Sequence, residues 1–329
     1  MNIRRFILLV GWLLLAAVPF WAEGYTLTTL RDVLLFGLFA LSLDYLWGKT
    51  GILSFGHAAF FGLGAYGMAI VTLKLGIDPQ VASMLGLLVG VALPMVIAGL
   101  IGYFLIFGGV RAAYLTIVTL ALTIIAQQVA IGWSDMTGGD SGLIGVPPLT
   151  LNIGDFSFVL MDPAIFYWVV FGLSSLILYV LWRVCSGHYG KVLTALEDNE
   201  TRIRSLGYHT PLHLLGVFVV SAGIAGLAGA LYATGTSFVT PDLIGLMLST
   251  EVIMWVAVGG RGTLVGPFIG AFVVWWLRQE VSSIDTKLWP LFIGGFFILM
   301  VFAFPNGLLS ALDPIRNRLA RRAEKKVTS

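Results

Sequence analysis

Five side chains that could ionise or hydrogen-bond strongly stand within long apolar stretches of this chain: Asp44, His57, Gln127, Gln128 and Glu251. Such groups are costly in a bilayer, so they usually face a cavity or a partner and help to move ions or polar solutes. Asp44 and Glu251 stand near the ends of their stretches, where a hydrated structural role explains them equally well. His57 either lines a polar path or is a neutral, packed ring that donates to a backbone carbonyl.

Three patterns resemble ligand-binding motifs but do not fit them. "GLGAYG" at 62–67 has the glycine spacing of a dinucleotide-binding turn, yet it lies within an apolar stretch with no strand before it. "GKT" at 48–50 lacks the glycine that a phosphate-binding loop needs at position 43, where the chain has Leu43. His209 and His213 have the spacing of zinc ligands, but Pro211 lies between them and no third ligand is near.

Catalytic signatures are absent from the sequence. It has no G-x-S-x-G or H-E-x-x-H pattern and no nucleotide-hydrolysis motif. Cys185 is the single cysteine, which excludes a disulfide framework and a thiolate metal cluster. The sequence therefore predicts no enzyme activity, no metal site and no cofactor bound by this chain, so any energy source must be external.

The composition indicates an integral membrane protein. Of 329 residues, 58% are hydrophobic and 11% are charged, and the mean hydropathy is +0.94. Soluble globular proteins have roughly 25% charged residues, so a water-facing fold could not hide this much apolar surface. The formal net charge of +2 is too small to suggest a nucleic-acid partner.

The apolar stretches predict an all-α bundle of about ten transmembrane helices in one domain over 1–329. A helix needs about 20 apolar residues to cross the hydrocarbon core. By that length criterion the predicted spans are 6–22, 30–48, 52–75, 81–108, 112–132, 163–183, 211–233, 243–258, 264–280 and 287–305.

The distribution of basic residues predicts that both termini are cytoplasmic. With Arg4 and Arg5 inside, the alternating connections at 48–51, 109–111, 184–210 and 259–263 are also inside. Those connections hold the basic residues Lys49, Arg111, Lys191, Arg202, Arg204 and Arg261. The opposite-side loop at 133–162 has four aspartates and no Lys or Arg. Lys74, Arg278 and Lys287, near outer ends, are the exceptions to this bias.

Both ends of the chain have an alternative interpretation. The apolar run at 6–21 is long for a signal peptide and no A-x-A site follows it, so we interpret it as a retained helix, with cleavage as the alternative. The tail at 306–329 is basic, and it is interpreted as a topology anchor that touches anionic membrane lipid.

"GILSFGHAAFFGLGAY" at 51–66 has too many glycines and polar groups for a plain anchor. Irregular backbone is tolerated at membrane depth where it is buried in protein or lines a cavity. This segment is therefore predicted to pack closely against, or to line, a path for a small polar solute. The candidate path residues are Ser54, Gly56, His57, Gly62, Gly64, Gln127, Glu251, Gly259 and Gly260.

Small residues also recur at helical spacing later in the chain. Close helix contacts in membranes use small residues at positions i and i+4. Three such stripes occur: Ala222/Gly226/Ala230, Ser221/Ala225/Gly229/Ala233 and Gly262/Gly266/Gly270. They predict tight helix packing.

The loop at 186–212 has the pattern of a short amphipathic helix. Val192, Leu193, Leu196 and Ile203 form one apolar face, Leu206 closes it, and Gly207 ends the helix. Held between two membrane spans, such a helix can press into a groove on a partner protein. A solvated connector is the alternative, but it would not need the apolar face.

This loop, "ALEDNETRIRSLGY", resembles the coupling-helix loop of permease subunits of ABC importers for branched-chain amino acids, the LivM-like family. "AAYLTIVTLA", "TGGDSGLIGVPP", "SAGIAGLAGALYA", "WVAVGGRGTLVGPFIGA" and "FPNGLL" resemble the same family in the same order. Together with the segment at 51–66, they span most of residues 45–310.

The resemblance implies a multi-pass subunit in the bacterial inner membrane that pairs with a second, H-type permease. Two cytoplasmic ATPases, which use ATP and Mg²⁺, and a periplasmic binding protein would complete the importer. The ATPase would contact the coupling residues Leu196, Glu197, Asp198, Asn199, Glu200, Arg202, Leu206 and Gly207. The loop at 133–162 would help to meet the binding protein, and the glycine-rich segments would shape the path.

The solute stays open at this point. Branched-chain amino acids (leucine, isoleucine, valine) are what the resemblance implies first, and urea or short amides are handled by close relatives. An ion-coupled secondary transporter is the alternative of a different class, and it would need carboxylates deep within spans, for which Asp44 and Glu251 are the candidates.

Overall fold

A computed structural model describes residues 3–110, 112–153, 156–284, 289–303 and 307–311. The fold is a bundle of α-helices with four short strands. The principal helices are α1 (Ile3–Ala17), α2 (Gly24–Thr50), α3 (His57–Leu73), α4 (Pro79–Gly102), α5 (Ala112–Gly132), α7 (Pro163–Ser186), α8 (His188–Asp198), α10 (Thr210–Thr236), α11 (Leu246–Gly259), α12 (Gly266–Ile284) and α13 (Trp289–Ala303). Two short helices are α6 (Ser134–Thr137) and α9 (Glu200–Ser205).

Each of the ten predicted spans overlaps one of the principal helices. Within the described part of the chain, five helices are long and apolar enough to cross a membrane: Gly24–Thr50, Val81–Phe107, Tyr114–Gly132, Pro163–Ser186 and Thr210–Thr236. The second of these, Val81–Phe107, exceeds α4 because α4 continues through a π-helical turn at Tyr103–Phe107. The multi-pass membrane architecture is therefore confirmed, while ten crossings remain a prediction.

Helix α10 lies at the centre of the bundle and packs on α2, α3 and α4. Its small residues allow this, as the first two predicted stripes require. A Cβ on Gly64 of α3 would lie 2.1 Å from the carbonyl oxygen of Gly226, and one on Gly229 would lie 1.9 Å from that of Phe61. The helices touch through their backbones at these positions.

The third predicted stripe is only partly correct. Gly270 packs against the Trp255 carbonyl of α11, and Gly266 begins α12 beside Gly259. Gly262, however, precedes α12 in a turn with φ of +76° and lies against Gly48 of α2. It therefore belongs to a loop and not to a helical face.

The predicted all-α class needs a small correction at one end of the bundle. Strand β1 (Leu143–Ile144) pairs with β4 (Phe238–Val239), and β2 (Thr150–Ile153) pairs with β3 (Phe156–Val159), both antiparallel. The first pair fastens the loop at 133–162 to the connection after α10. Short apolar runs between turns did not distinguish these strands from loop.

The connections segregate to two ends, as the predicted alternation requires. At one end, Thr150 donates to the Pro79 carbonyl at 3.2 Å, which joins the loop at 133–162 to the start of α4. At the other end, Lys49 donates to the Gly262 carbonyl at 2.8 Å. The end with the strands is called the outer end below, and the other the inner end. Which end faces the cytoplasm stays a prediction.

Helix α1 is packed into the bundle. Trp12 Nε1 donates to Ser175 Oγ at 2.9 Å, and Tyr167 donates from α7 to the Leu15 carbonyl at 2.7 Å. Arg111, Asp155, Lys287 and the basic tail at 312–329 lie outside the described residues, as do 304–306. The roles predicted for them stay predictions.

Candidate functional site

The segment between α2 and α3 is irregular, as predicted. Helix α2 ends at Gly51, whose φ of +74° suits a residue without a Cβ, and α3 begins at His57. Because the helix is interrupted here, its carbonyls need other donors, and α5 supplies two of these donors. Thr116 donates to the Leu53 carbonyl at 2.8 Å and Thr123 to that of Phe55 at 3.2 Å. These threonines were not among the predicted site residues, although their seven-residue spacing on an apolar helix was a usable signal.

His57 joins α3 to α2 and α10 within the protein interior. Ser42 donates to the Phe39 carbonyl and Ser221 donates to the Ser42 carbonyl, both at 2.6 Å. Since both hydroxyl hydrogens are used, His57 Nε2 carries a hydrogen and donates to Ser42 Oγ at 2.8 Å, with Ser221 Oγ at 3.3 Å. Nδ1 is then an acceptor, and it has no hydrogen-bond partner among the described residues.

The neighbours of His57 in sequence are equally enclosed. Ser54 is fully buried, and its hydroxyl has no hydrogen-bond partner within the described part of the chain. Gly56 lies against the Thr119 carbonyl of α5, and Gly62 against Ile244. Together with Gly64, these predicted path residues fill contacts between helices. Among the described residues they are enclosed by other helices, so their path role stays a prediction.

The remaining predicted path residues lie elsewhere. The Gln127 amide packs against Gly245 at the start of α11. Glu251 is buried, and its two carboxylate oxygens lie 3.3 and 3.2 Å from Arg278 Nη1 of α12. Gly259 and Gly260 lie at the inner end, where α11 turns into α12. The structure therefore distributes the predicted path residues along the bundle and does not gather them into one site.

A second buried charge near the outer end was not singled out from the sequence. Arg31 of α2 is 5% exposed, pairs with Asp32 at 2.7 Å and lies 5.0 Å above the Phe166 ring. A Cβ on Gly235 would lie 2.8 Å from its guanidinium carbon. Because Arg31 stands at the start of a predicted span, its position in the sequence is typical of a charge at the membrane surface and gives no sign that the side chain is buried.

The loop at 260–265 is fastened to the inner end of α2. Asp44 Oδ1 accepts from the Gly262 backbone N–H at 2.5 Å, and Oδ2 accepts from that of Leu264 at 2.9 Å. Gly260 has φ of +111° and permits the sharp departure from α11. Asp44 is fully buried, so its role here is to hold the loop. The geometry thus supports a structural role for Asp44, but a buried one and not the hydrated one that the alternative described.

The predicted coupling segment forms two helices at the inner end. Asn199 separates α8 from α9: its backbone is extended, and its side chain caps α9 by accepting from the Arg202 N–H at 3.0 Å. Gly207 follows α9 with φ of +87°, as a helix stop requires. The single predicted helix is therefore wrong, while its end is confirmed.

The apolar face of this segment packs inward. Val192, Leu193, Leu196 and Ile203 are buried within the chain. Leu196 is thus buried in this arrangement, and its place among the coupling residues stays a prediction. Leu206 does not close the face, because 68% of it is exposed.

The polar face of the segment is exposed, and we call it the α8–α9 ridge. It consists of Glu197, Asp198, Asn199, Glu200, Arg202, Leu206 and Gly207. Behind it, burial and the neighbouring Cys185 thiol raise the pKa of Tyr189. The phenol stays protonated and can donate to the His213 carbonyl, 3.4 Å away. The ridge is thus charged outside and fastened to α10 inside.

Comparison with known proteins places the chain in a family. A family model described as branched-chain amino acid transport system / permease component matches residues 25–301. The high-affinity branched-chain amino acid transport system permease protein LivM of Escherichia coli (strain K12) is 27% identical over 335 aligned positions, covering 95% of this chain and 77% of LivM. LivM of Salmonella typhimurium (strain LT2) is 27% identical over 333, with the same coverage.

A second group of relatives carries a different name. The autoinducer 2 import system permease protein LsrC of Escherichia coli O157:H7 is 27% identical over 310 aligned positions, covering 87% of this chain and 88% of LsrC. No solved structure matches the chain. Because the family match covers most of the sequence, and ten apolar segments form the helical bundle described above, this protein belongs to the family of branched-chain amino acid transport system permease components.

Proposed function

We propose that this chain is the inner-membrane permease subunit of an ABC importer and that the importer carries leucine, isoleucine and valine. The family match and the two LivM relatives, which align with 95% of the chain, support this assignment. The chain would provide part of the translocation path. Two partner ATPase subunits would hydrolyse ATP with Mg²⁺, and a second permease and a periplasmic binding protein would complete the assembly.

The observation that carries the energy-coupling part of the proposal is the α8–α9 ridge. Its acidic and basic side chains are exposed at the inner end, while the apolar face of the same segment is buried in the bundle. A force applied to the ridge would therefore be transmitted through this buried face to the helices that pack against it. At the outer end, the loop at 133–162 is braced by its pairing with β4, which suits a surface for the binding protein.

The ridge can be tested by reversing its charges in the intact complex, purified from the native host through a tag on this chain. Asp198→Lys with Arg202→Glu should reduce the ATPase recovered with the permease by about tenfold or more, because mismatched charges at an interface cost several kcal/mol. Asp135→Lys, at an exposed position of the outer end, is the control and should leave recovery unchanged. Undiminished recovery with the ridge variant would contradict the proposed docking surface.

The LsrC relatives favour a second candidate solute, autoinducer 2, because they match nearly as much of the chain at the same identity. Deleting the gene for this chain should remove saturable uptake of radiolabelled leucine, with excess isoleucine and valine competing in the parent strain. Loss of autoinducer 2 uptake with leucine uptake intact would favour the second candidate. Competition by urea or acetamide would instead favour the amide alternative.

The ion-coupled alternative requires a carboxylate free to bind a coupling ion. Asp44 and Glu251 both have partners inside the chain, the first with two backbone N–H groups and the second with Arg278. Asp44→Asn with Glu251→Gln should therefore leave uptake dependent on ATP and insensitive to the proton gradient. Loss of a gradient dependence present in the parent protein would support the alternative.

A further inference from the structure

Arg261 joins three elements at the inner end. It follows α11 in the loop at 260–265, and its Nη2 forms an ion pair with Glu197 Oε1 at the end of α8. Its Nε donates to the Trp47 carbonyl of α2 at 3.2 Å, and its guanidinium carbon lies 5.2 Å from the centre of the Trp47 ring. One side chain thus contacts the coupling segment and α2 from the loop between α11 and α12.

These contacts use the shape of the guanidinium group. Its planar fork places donors in two directions while its face stacks on an aromatic ring, which an ammonium group cannot reproduce. The side chains of Arg261 and Glu197 are 40% and 31% exposed. Ion pairs as exposed as this one contribute little to folding stability, so stability does not explain the arrangement.

The far side of the loop is held much more firmly. Asp44 accepts from two of its backbone N–H groups, and Lys49 donates to one of its carbonyls. Gly307, beyond α13, lies so close to Gly260 that a Cβ there would be 2.3 Å from the Gly260 Cα. A displacement of the loop would therefore carry α11, α12 and the end of α2 together. Arg261 provides a contact between α8 and this group of elements.

We propose that Arg261 is a positioning residue that transmits movement of α8 to the α11–α12 loop and to α2. The inference rests on the proposed function, since it takes the α8–α9 ridge to be the place where ATPase movement enters. It adds the contacts through which that movement passes from the ridge to the α11–α12 loop and α2. Arg261 acts through Glu197 and Trp47 and needs no contact with ATP or solute.

The test measures solute transported per ATP hydrolysed by the purified native complex in proteoliposomes. Arg261→Glu should reduce this ratio by about fivefold or more, the lower end of measured coupling between sites. The exchanged pair Glu197→Arg with Arg261→Glu should recover part of it, because the ion pair is restored in reverse while the contacts with Trp47 are lost. Arg261→Lys should be intermediate, since it keeps the charge and loses the fork. Lys74→Glu, an exposed charge reversal at the outer end, is the control.

A normal ratio in Arg261→Glu, or an exchanged pair no better than that single variant, would overturn the inference. If Arg261→Glu does not accumulate, Glu197→Gln, Arg261→Gln and their combination provide a double-mutant cycle, in which additive effects on the ratio overturn it and non-additive effects support it. The amount of ATPase that copurifies with each variant distinguishes the Arg261 proposal from the proposed docking surface on the ridge. Normal recovery with an unchanged ratio rejects the Arg261 route alone, whereas failure of the ridge experiment rejects the docking surface.

Discussion

At the scale of single residues, Asp44 combines a buried charge with a structural task. Both of its oxygens accept backbone N–H groups from the loop at 260–265. The N–H of Gly262 is partly buried and that of Leu264 is buried, so water cannot readily satisfy them. One carboxylate on the neighbouring helix supplies two acceptors at once.

Removing this carboxylate should destabilise the protein. We expect Asp44→Ala to lower the free energy of unfolding by about 1–3 kcal/mol for each of the two donors left unsatisfied. Asp44→Asn keeps one acceptor oxygen and should lose less. Thermal unfolding of the detergent-solubilised protein measures the difference, with Asp198→Ala at an exposed position as the control. Equal melting temperatures for Asp44→Ala and Asp198→Ala would show that the loop does not depend on this residue.

The sequence identified Asp44, His57 and Glu251 as unusual, but it could not assign their partners. The partners are distant in sequence: Ser221 is 164 residues from His57, and Leu264 is 220 residues from Asp44. Hydropathy and spacing report which residue is costly to bury, whereas the compensating group depends on which helices are neighbours. For the same reason Arg261 was read from the sequence as one more cytoplasmic charge.

At the scale of elements, the contact between α3 and α10 depends on residues without side chains. Gly64 and Gly226 meet backbone to backbone, and no side chain fits between them. The spacing of small residues in α10 predicted this contact surface. It did not predict that α3 would be the helix against it, because the glycines of α3 have no comparably regular spacing.

Substitution of Gly64 should separate these helices. Gly64→Ala places a methyl group against the Gly226 carbonyl and should reduce stability by at least about 1–3 kcal/mol, as overpacking does in a dense interior. Gly172→Ala is a matched control, because Gly172 lies within α7 with no atom near the added Cβ. There the better helix propensity of alanine should leave stability equal or slightly higher. Similar losses in thermal unfolding for both variants would contradict the close contact.

The α8–α9 segment shows where sequence periodicity stops being informative. Its apolar spacing correctly predicted which residues form one face, and the structure buries them. A face of that kind fits a partner's groove or the protein's own bundle equally well. Only the positions of α2, α7 and α10 decide between the two, and the break at Asn199 then follows from its capping bond to Arg202.

At the scale of the whole molecule, the loops divide between two ends, and the basic residues predict which end is cytoplasmic. This can be measured with single cysteines in a Cys185→Ser background. A membrane-impermeant maleimide should label Asp140→Cys in intact spheroplasts and Lys191→Cys in inverted vesicles. For each variant, the labelled fraction should be on the order of tenfold higher than in the opposite preparation, because the bilayer keeps the reagent from the other side. Both positions are exposed. Labelling of both from one side would reject the predicted alternation.

Most of the architecture followed from length and hydropathy, because a bilayer leaves a helical chain few choices. The ten apolar segments, the irregular stretch after Gly51 and the packing surface of α10 were all predictable. The strands at the outer end were not, since β1 and β4 are two residues each and pair across nearly a hundred positions. Such short pairings leave no periodic pattern to detect.

The inward packing of the apolar face of α8 has a consequence for assembly. Except for Leu206, the exposed side chains of the ridge are charged or polar, so the ridge itself presents little apolar surface. Recruitment of soluble partners would then rely on complementary ions, and the complex should loosen as salt rises. An isolated subunit should accordingly have little tendency to self-associate through the ridge.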